Sequence, residues 1–152
     1  MKTLVLYYSR SGNTKALAEK KARELGADIE EIVDVIRPNY FAAAWGAIRH
    51  QMGEIEPIRA RLNEYESIVI MSPVWASQPT PAINSVIASL PPGKKVELVM
   101  VSAGGGTKRT ANEITKLVLA QGCQVLKYTD LKAHKKNGEV VSKVLMESGS
   151  GV

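Results

Sequence analysis

Three short segments hold the residues best suited to chemistry, and each sits where an apolar run ends. Ser9-Arg10-Ser11-Gly12-Asn13-Thr14 places three hydroxyls, an amide and a glycine between the run 3–8 and a helical pattern that starts at residue 13. A helix start exposes unpaired N–H groups and the positive end of the helix dipole, so hydroxyls and a permissive glycine at that point suit a phosphate. The competing reading is that Ser11 or Asn13 only caps the helix. Ser72-Pro73-Val74-Trp75-Ala76-Ser77-Gln78-Pro79 holds a tryptophan in a proline-bounded loop. Its indole either stacks on a flat heterocycle or folds back to close the core. Ser102-Ala103-Gly104-Gly105-Gly106-Thr107 contains three successive glycines. They either let the backbone lie against a ligand and offer it N–H and C=O groups, or form a plain turn.

These loops need a frame that brings them together. Apolar runs at 3–8, 28–36, 67–72, 95–102 and 123–130 read as strands. Helical patterns cover 13–25, 40–52, 79–90, 108–121 and 139–147. In the first, Leu17, a lysine stem (Lys20 or Lys21) and Leu25 mark the inner side; in the second, Phe41, Trp45, Ile48 and Met52 fall on one face, most simply a core face. Buried-type strands alternating with helices predict an α/β three-layer sandwich on a parallel sheet. Residues 1–147 are expected to form one domain, with 148–152 a flexible tail. In such a sheet ligands bind beyond the carboxyl ends of the strands. The three segments then belong to one pocket, with a phosphate end, a stacking wall and a backbone-lined edge.

Composition removes several classes. Cys123 is the only cysteine, which excludes an internal disulfide, a CxxC redox pair and a cysteine-based zinc site. His50 and His134 lack metal-ligand spacing, so no metal site is expected. The opening run LVLYY is too short for a signal-peptide core, and no apolar run approaches the ~20 residues that span a bilayer. A cytoplasmic protein without membrane insertion is the expectation. Neither a GxxxxGK[ST] loop nor a GxGxxG fingerprint is present. The formal charge of +5 is unevenly spread. Residues 1–93 carry ten basic and ten acidic side chains, while 94–152 carry ten basic and five acidic.

The segment YYSRSGNTKALAEKKARE resembles the [ST]-x-[ST]-G-N-T phosphate loop of flavodoxins. MSPVWASQPTPAINSVI resembles their third strand-to-helix loop, and VMVSAGGGT their fourth. The resemblance covers roughly residues 2–131. It implies a five-stranded parallel sheet of order 2-1-3-4-5 and non-covalent FMN. It also implies that Ser9, Ser11, Asn13 and Thr14 hold the phosphate, with the N–H groups of Arg10 and Gly12. Pro73, Val74, Trp75 and Ala76 would line the isoalloxazine, the Trp75–Ala76 peptide facing flavin N5. Ser102, Ala103, Gly104, Gly105 and Gly106 would meet the pyrimidine edge, and Tyr40 is a further residue that could approach the flavin. The first loop lacks the acidic residues of a receiver domain and the Cys–Arg loop of a low-molecular-weight phosphatase.

The function expected on these grounds is that of a low-potential electron carrier, with no side chain assigned as a catalytic acid or base. Two alternatives stand beside it: an NAD(P)H-dependent FMN oxidoreductase acting on quinones, and a basic protein-docking module of the same fold. Basic composition departs from acidic electron-carrier flavodoxins. Lys108 and Arg109 open the fourth helix, and Lys132, His134, Lys135 and Lys136 follow the fifth strand, with only Tyr128 as a nearby aromatic. That arrangement speaks against single-stranded nucleic acid and for an acidic redox partner protein met by a monomer or homodimer. Reversing the charges of Lys108, Arg109, Lys135 and Lys136 is expected to slow reduction by that partner most at low salt. Stopped-flow rates measured across a salt series check this; equal rates at low salt refute it.

Overall fold

The computed structural model describes residues 2–35, 53–75 and 78–149. Its elements in chain order are β1 (Thr3–Tyr7), α1 (Asn13–Leu25), β2 (Asp28–Glu31), a 3-10 turn (Leu62–Glu64), β3 (Ser67–Trp75) and β4 (Gln78–Pro79). There follow α2 (Pro81–Ala88), β5 (Lys95–Ser102), α3 (Lys108–Ala120), β6 (Gln124–Lys136) and β7 (Glu139–Gly149). Strands β2-β1-β3-β5-β6 lie side by side in that order and all run parallel. This is the expected 2-1-3-4-5 order, and the α/β sandwich is the fold class.

Alternation along the strands divides the core in two. On one face Val5, Tyr7, Val69, Met71 and Val99 pack against Leu17, Ala18 and Ala22 of α1. On the other, Leu4, Leu6, Ile68, Ile70, Leu98 and Met100 pack against Ile83, Val86 and Ile87 of α2 and Ile114 and Val118 of α3. Leu25, expected on the inner side of α1, is 47% exposed in its last turn, and Leu17, Ala18 and Ala22 form the buried side instead. Lys21 of α1 reaches Glu97 on β5 at 2.8 Å, tying the helix across the sheet.

Several elements differ from expectation. The segment 139–147 is not a helix but most of β7, antiparallel to β6. Asn137 and Gly138 both take positive φ, 52° and 79°, the two-residue turn whose twist suits a hairpin. β-Branched Val140, Val141 and Val144 then favour the strand. β6 correspondingly runs to Lys136, and Ser148 and Gly149 belong to β7 rather than to a tail. The third strand continues through Pro73, beyond Met71, its last partner on β1, so the missing N–H falls where that side of the ladder is open. Pro79, expected to begin a helix, instead returns with Gln78 along Val74–Trp75 as β4, and α2 starts at Pro81. The strand expected over 28–36 ends at Glu31. The helix expected over 40–52, with Phe41, Trp45, Ile48 and Met52, lies outside the described residues, as do Tyr40 and His50.

Ile114 is fully buried between α3 and the sheet. Ile114→Ala is expected to lower unfolding stability by about 2–5 kcal/mol. Urea denaturation checks this through a lower midpoint at unchanged slope.

Candidate functional site

The carboxyl ends of β1, β3 and β5 are neighbours in the sheet, so the three loops that follow them emerge side by side. The switch in strand order also falls here, since the chain leaves β1 for β2 on one side and returns to β3 on the other.

The first loop closes on Ser9, which is buried and whose Oγ accepts the Gly12 N–H at 3.1 Å. Gly12 sits at the N-cap of α1 with φ of 91°, which only glycine takes without strain. No side chain caps this helix, and its first turn holds no acidic residue. The capping alternative for Ser11 and Asn13 is therefore not what the geometry shows, and the helix terminus keeps its donors for an anion. Ser11 is exposed, Asn13 half-buried and Thr14 buried in the first turn. Arg10 turns its guanidinium toward Trp75, 5.6 Å from the ring centre, and its buried Nη1 has no hydrogen-bond partner.

On the second loop, Trp75 belongs to the core cluster and meets Tyr8 edge-on at 5.7 Å. The Tyr8 hydroxyl donates to Asp34 at 2.5 Å, bracing the ring that supports the indole. Pro73 and Val74 are half-buried beside it. Ser72 is fully buried, donates to the Pro73 carbonyl at 2.9 Å and shares a 3.3 Å contact with Thr80 at the start of α2. Ala76 lies outside the described residues.

The third loop needs two of its glycines: Gly105 and Gly106 have φ of 94° and 77°. Ala103, Gly104 and Gly106 are exposed, and a Cβ on Gly104 or Gly106 would meet nothing within 4 Å. The loop thus presents bare backbone outward. Its two ends are fastened by a residue that the motifs leave out. Asp130 on β6 is fully buried and accepts the hydroxyls of Ser102 at 2.6 Å and Thr107 at 2.7 Å. Asp130 is the one carboxylate in β6, and that was the available signal. Tyr128, two residues earlier, has its hydroxyl pushed up to about 12, chiefly by burial, with the Thr107 hydroxyl opposing the rise and the Asp130 charge adding to it.

The site residues therefore gather at one end of the sheet. A groove of about 420 Å³ between α2 and α3, lined by residues including Ile87, Glu113 and Leu117, lies on the helix face instead. Among the described residues no cluster of His, Cys, Asp or Glu could hold a metal, and no helix is long and apolar enough to cross a membrane.

The parallel sheet in the order β2-β1-β3-β5-β6, with its loops emerging at the switch point, is a flavodoxin-like fold. The model of the NADPH-dependent FMN reductase family matches residues 1–137, and the chain belongs to that family. Its cofactor is accordingly FMN. Among solved structures, a flavoprotein from Lactobacillus acidophilus NCFM, crystallised in complex with FMN, is 26% identical with a TM-score of 0.72, covering 85% of this chain and 92% of its own. A flavodoxin from Streptococcus pneumoniae TIGR4 shares the fold at 15% identity and a TM-score of 0.55, covering 89% and 88%. Oxidised Flavodoxin 2 from Bacillus cereus does so at 18% and 0.54, covering 91% and 90%. No curated protein matches the chain.

The donors present fit FMN: an uncapped helix start for the phosphate, an unpartnered Arg10 Nη1 and an open glycine backbone. Loss of one hydrogen bond to a charged group is typically worth about 1.5–3 kcal/mol. Thr14→Val is therefore expected to weaken FMN binding by roughly 13- to 160-fold while leaving riboflavin binding unchanged. Flavin fluorescence titrations with both ligands check it.

Proposed function

We propose that this protein is an FMN-dependent oxidoreductase whose flavin is reduced by a nicotinamide nucleotide. Membership of the NADPH-dependent FMN reductase family over residues 1–137 is the observation that carries this reading. Bound FMN supplies the electron-transfer chemistry, and the protein supplies position, water exclusion and charge. Gly12 and the first turn of α1 hold the phosphate end, and the loop 103–106 holds the ring edge. The charge of the rim agrees with an anionic donor. β5 ends at Ser102 opposite Lys132, so residues 133–136 of β6 overhang the site by roughly 13 Å at about 3.3 Å per residue. The overhang carries Lys135 and Lys136, both exposed, and Lys108 and Arg109 stand exposed at the start of α3. Arg109 pairs with Glu113 at 3.0 Å, which offsets the cost of a cation against the helix dipole.

The electron-carrier reading uses the same three loops and differs in the source of electrons. An acidic protein partner meeting the basic rim, and a cytoplasmic location, are proposals of the same standing. Anaerobic mixing of the FMN-loaded protein with NADPH or NADH separates the readings. The expected result is full bleaching of the yellow flavin absorption in one two-electron phase. No bleaching by either nucleotide, with stepwise one-electron reduction by a chemical reductant, would reject the reductase and favour the carrier.

A further inference from the structure

We propose that Asp130 is a positioning residue for the flavin ring, acting as a clamp on both ends of the glycine loop. The inference rests on the FMN reading above and assigns a role to a residue outside the three ligand loops. Asp130 is fully buried on β6, opposite Met100 of β5. A buried carboxylate is unfavourable unless its oxygens are satisfied. Here one oxygen accepts the Ser102 hydroxyl at 2.6 Å and the other accepts the Thr107 hydroxyl at 2.7 Å. Those two residues bracket the loop 103–106.

The donors are set as they would be for this purpose. Thr107 occupies the N-cap position of α3, where a threonine hydroxyl ordinarily accepts a helix N–H. No such cap bond forms, and the hydroxyl donates to Asp130 instead. Because Ser102 gives its proton to the carboxylate, its oxygen is left to accept, and it takes the Gly105 N–H at 3.0 Å. Asp130 thus reaches the middle of the loop through Ser102. Leu145 of β7 adds a second support. It is the extra residue where the β6–β7 register shifts, and its Cδ1 lies 3.6 Å from where a Cβ on Gly105 would stand.

A run of three glycines has more conformational freedom to lose on binding than any other composition. Fixing such a loop before the ligand arrives lowers the cost of ordering it and strengthens binding. The clamp therefore acts at the ring end of the cofactor, not at its phosphate. That gives it a signature that a loss of general stability does not share.

The test compares Thr107→Val, which keeps the shape and removes the donor, with Thr107→Ser, which keeps the donor. Each is titrated with FMN and with riboflavin, and its melting temperature is recorded without ligand. The expected result is that Thr107→Val weakens both flavins by the same factor, about tenfold, whereas Thr107→Ser stays within about twofold of the parent protein. Unchanged flavin binding in folded Thr107→Val overturns the clamp, as does a loss confined to FMN, which would place the effect at the phosphate end. Equal weakening by Thr107→Val and Thr107→Ser overturns it too. If Thr107→Val does not fold, Ser102→Ala removes the other donor at a half-buried position, and unchanged flavin binding or a loss confined to FMN then overturns the clamp. A parent protein that binds neither flavin rejects the FMN reading itself, and is distinguishable from every outcome above.

Discussion

Parallel pairing of β1 with β3 and of β3 with β5 imposes the constraint on which the site depends. Because the strands run the same way, their carboxyl ends meet at one edge of the sheet, and whatever follows each strand must leave from that edge. The chain then winds outward from β1 to β2 and back across to β3, which parts the flanking layers at that point. Burial on both faces fixes the register, since a slip of one residue would exchange the Val5, Tyr7 set for the Leu4, Leu6 set. The loops are therefore positioned by the core, and all three emerge at the same edge of the sheet.

The loops meet that opportunity in different ways. The first withholds the usual helix cap, leaving Gly12 and the N-terminus of α1 open to an anion. At the second, Trp75 is braced by Tyr8, which is held by Asp34. The third has little intrinsic stiffness and takes it from beneath, where Ser102 and Thr107 converge on one carboxylate. Helix donors and the Arg10 cation stand at one end and open glycine backbone at the other, with Trp75 packed into the core between them. Its rim owes its cations to the later part of the chain, where the β6–β7 hairpin extends past β5.

Much of this is legible in the amino-acid sequence, because buried parallel strands and amphipathic helices leave strong periodic signals. The five parallel strands and the grouping of the three loops follow from such signals, whereas the strand order rests on the resemblance to flavodoxins. What misleads is local ambiguity. EVVSKVLME fits a helical face and a strand almost equally, and the decision lay in the preceding Asn137-Gly138 turn. Pro73 reads as a break and Pro79 as the start of a helix, yet each sits within a strand where the ladder tolerates a missing donor. Trp75 was open between a stacking wall and a core cap; its indole does join the core. Asp130 is hidden for a different reason. Its meaning depends on two hydroxyls more than twenty residues away along the chain, and only the folded sheet brings them to it.

The central claim is that residues 9–14, the end of β3 and the glycine loop form a single FMN site. Backbone amide chemical shifts recorded during an FMN titration test it most directly. Shifts confined to those three segments, saturating together at one FMN per chain, are the result expected. Shifts centred on the groove between α2 and α3, or separate saturation of the three loops, would contradict it.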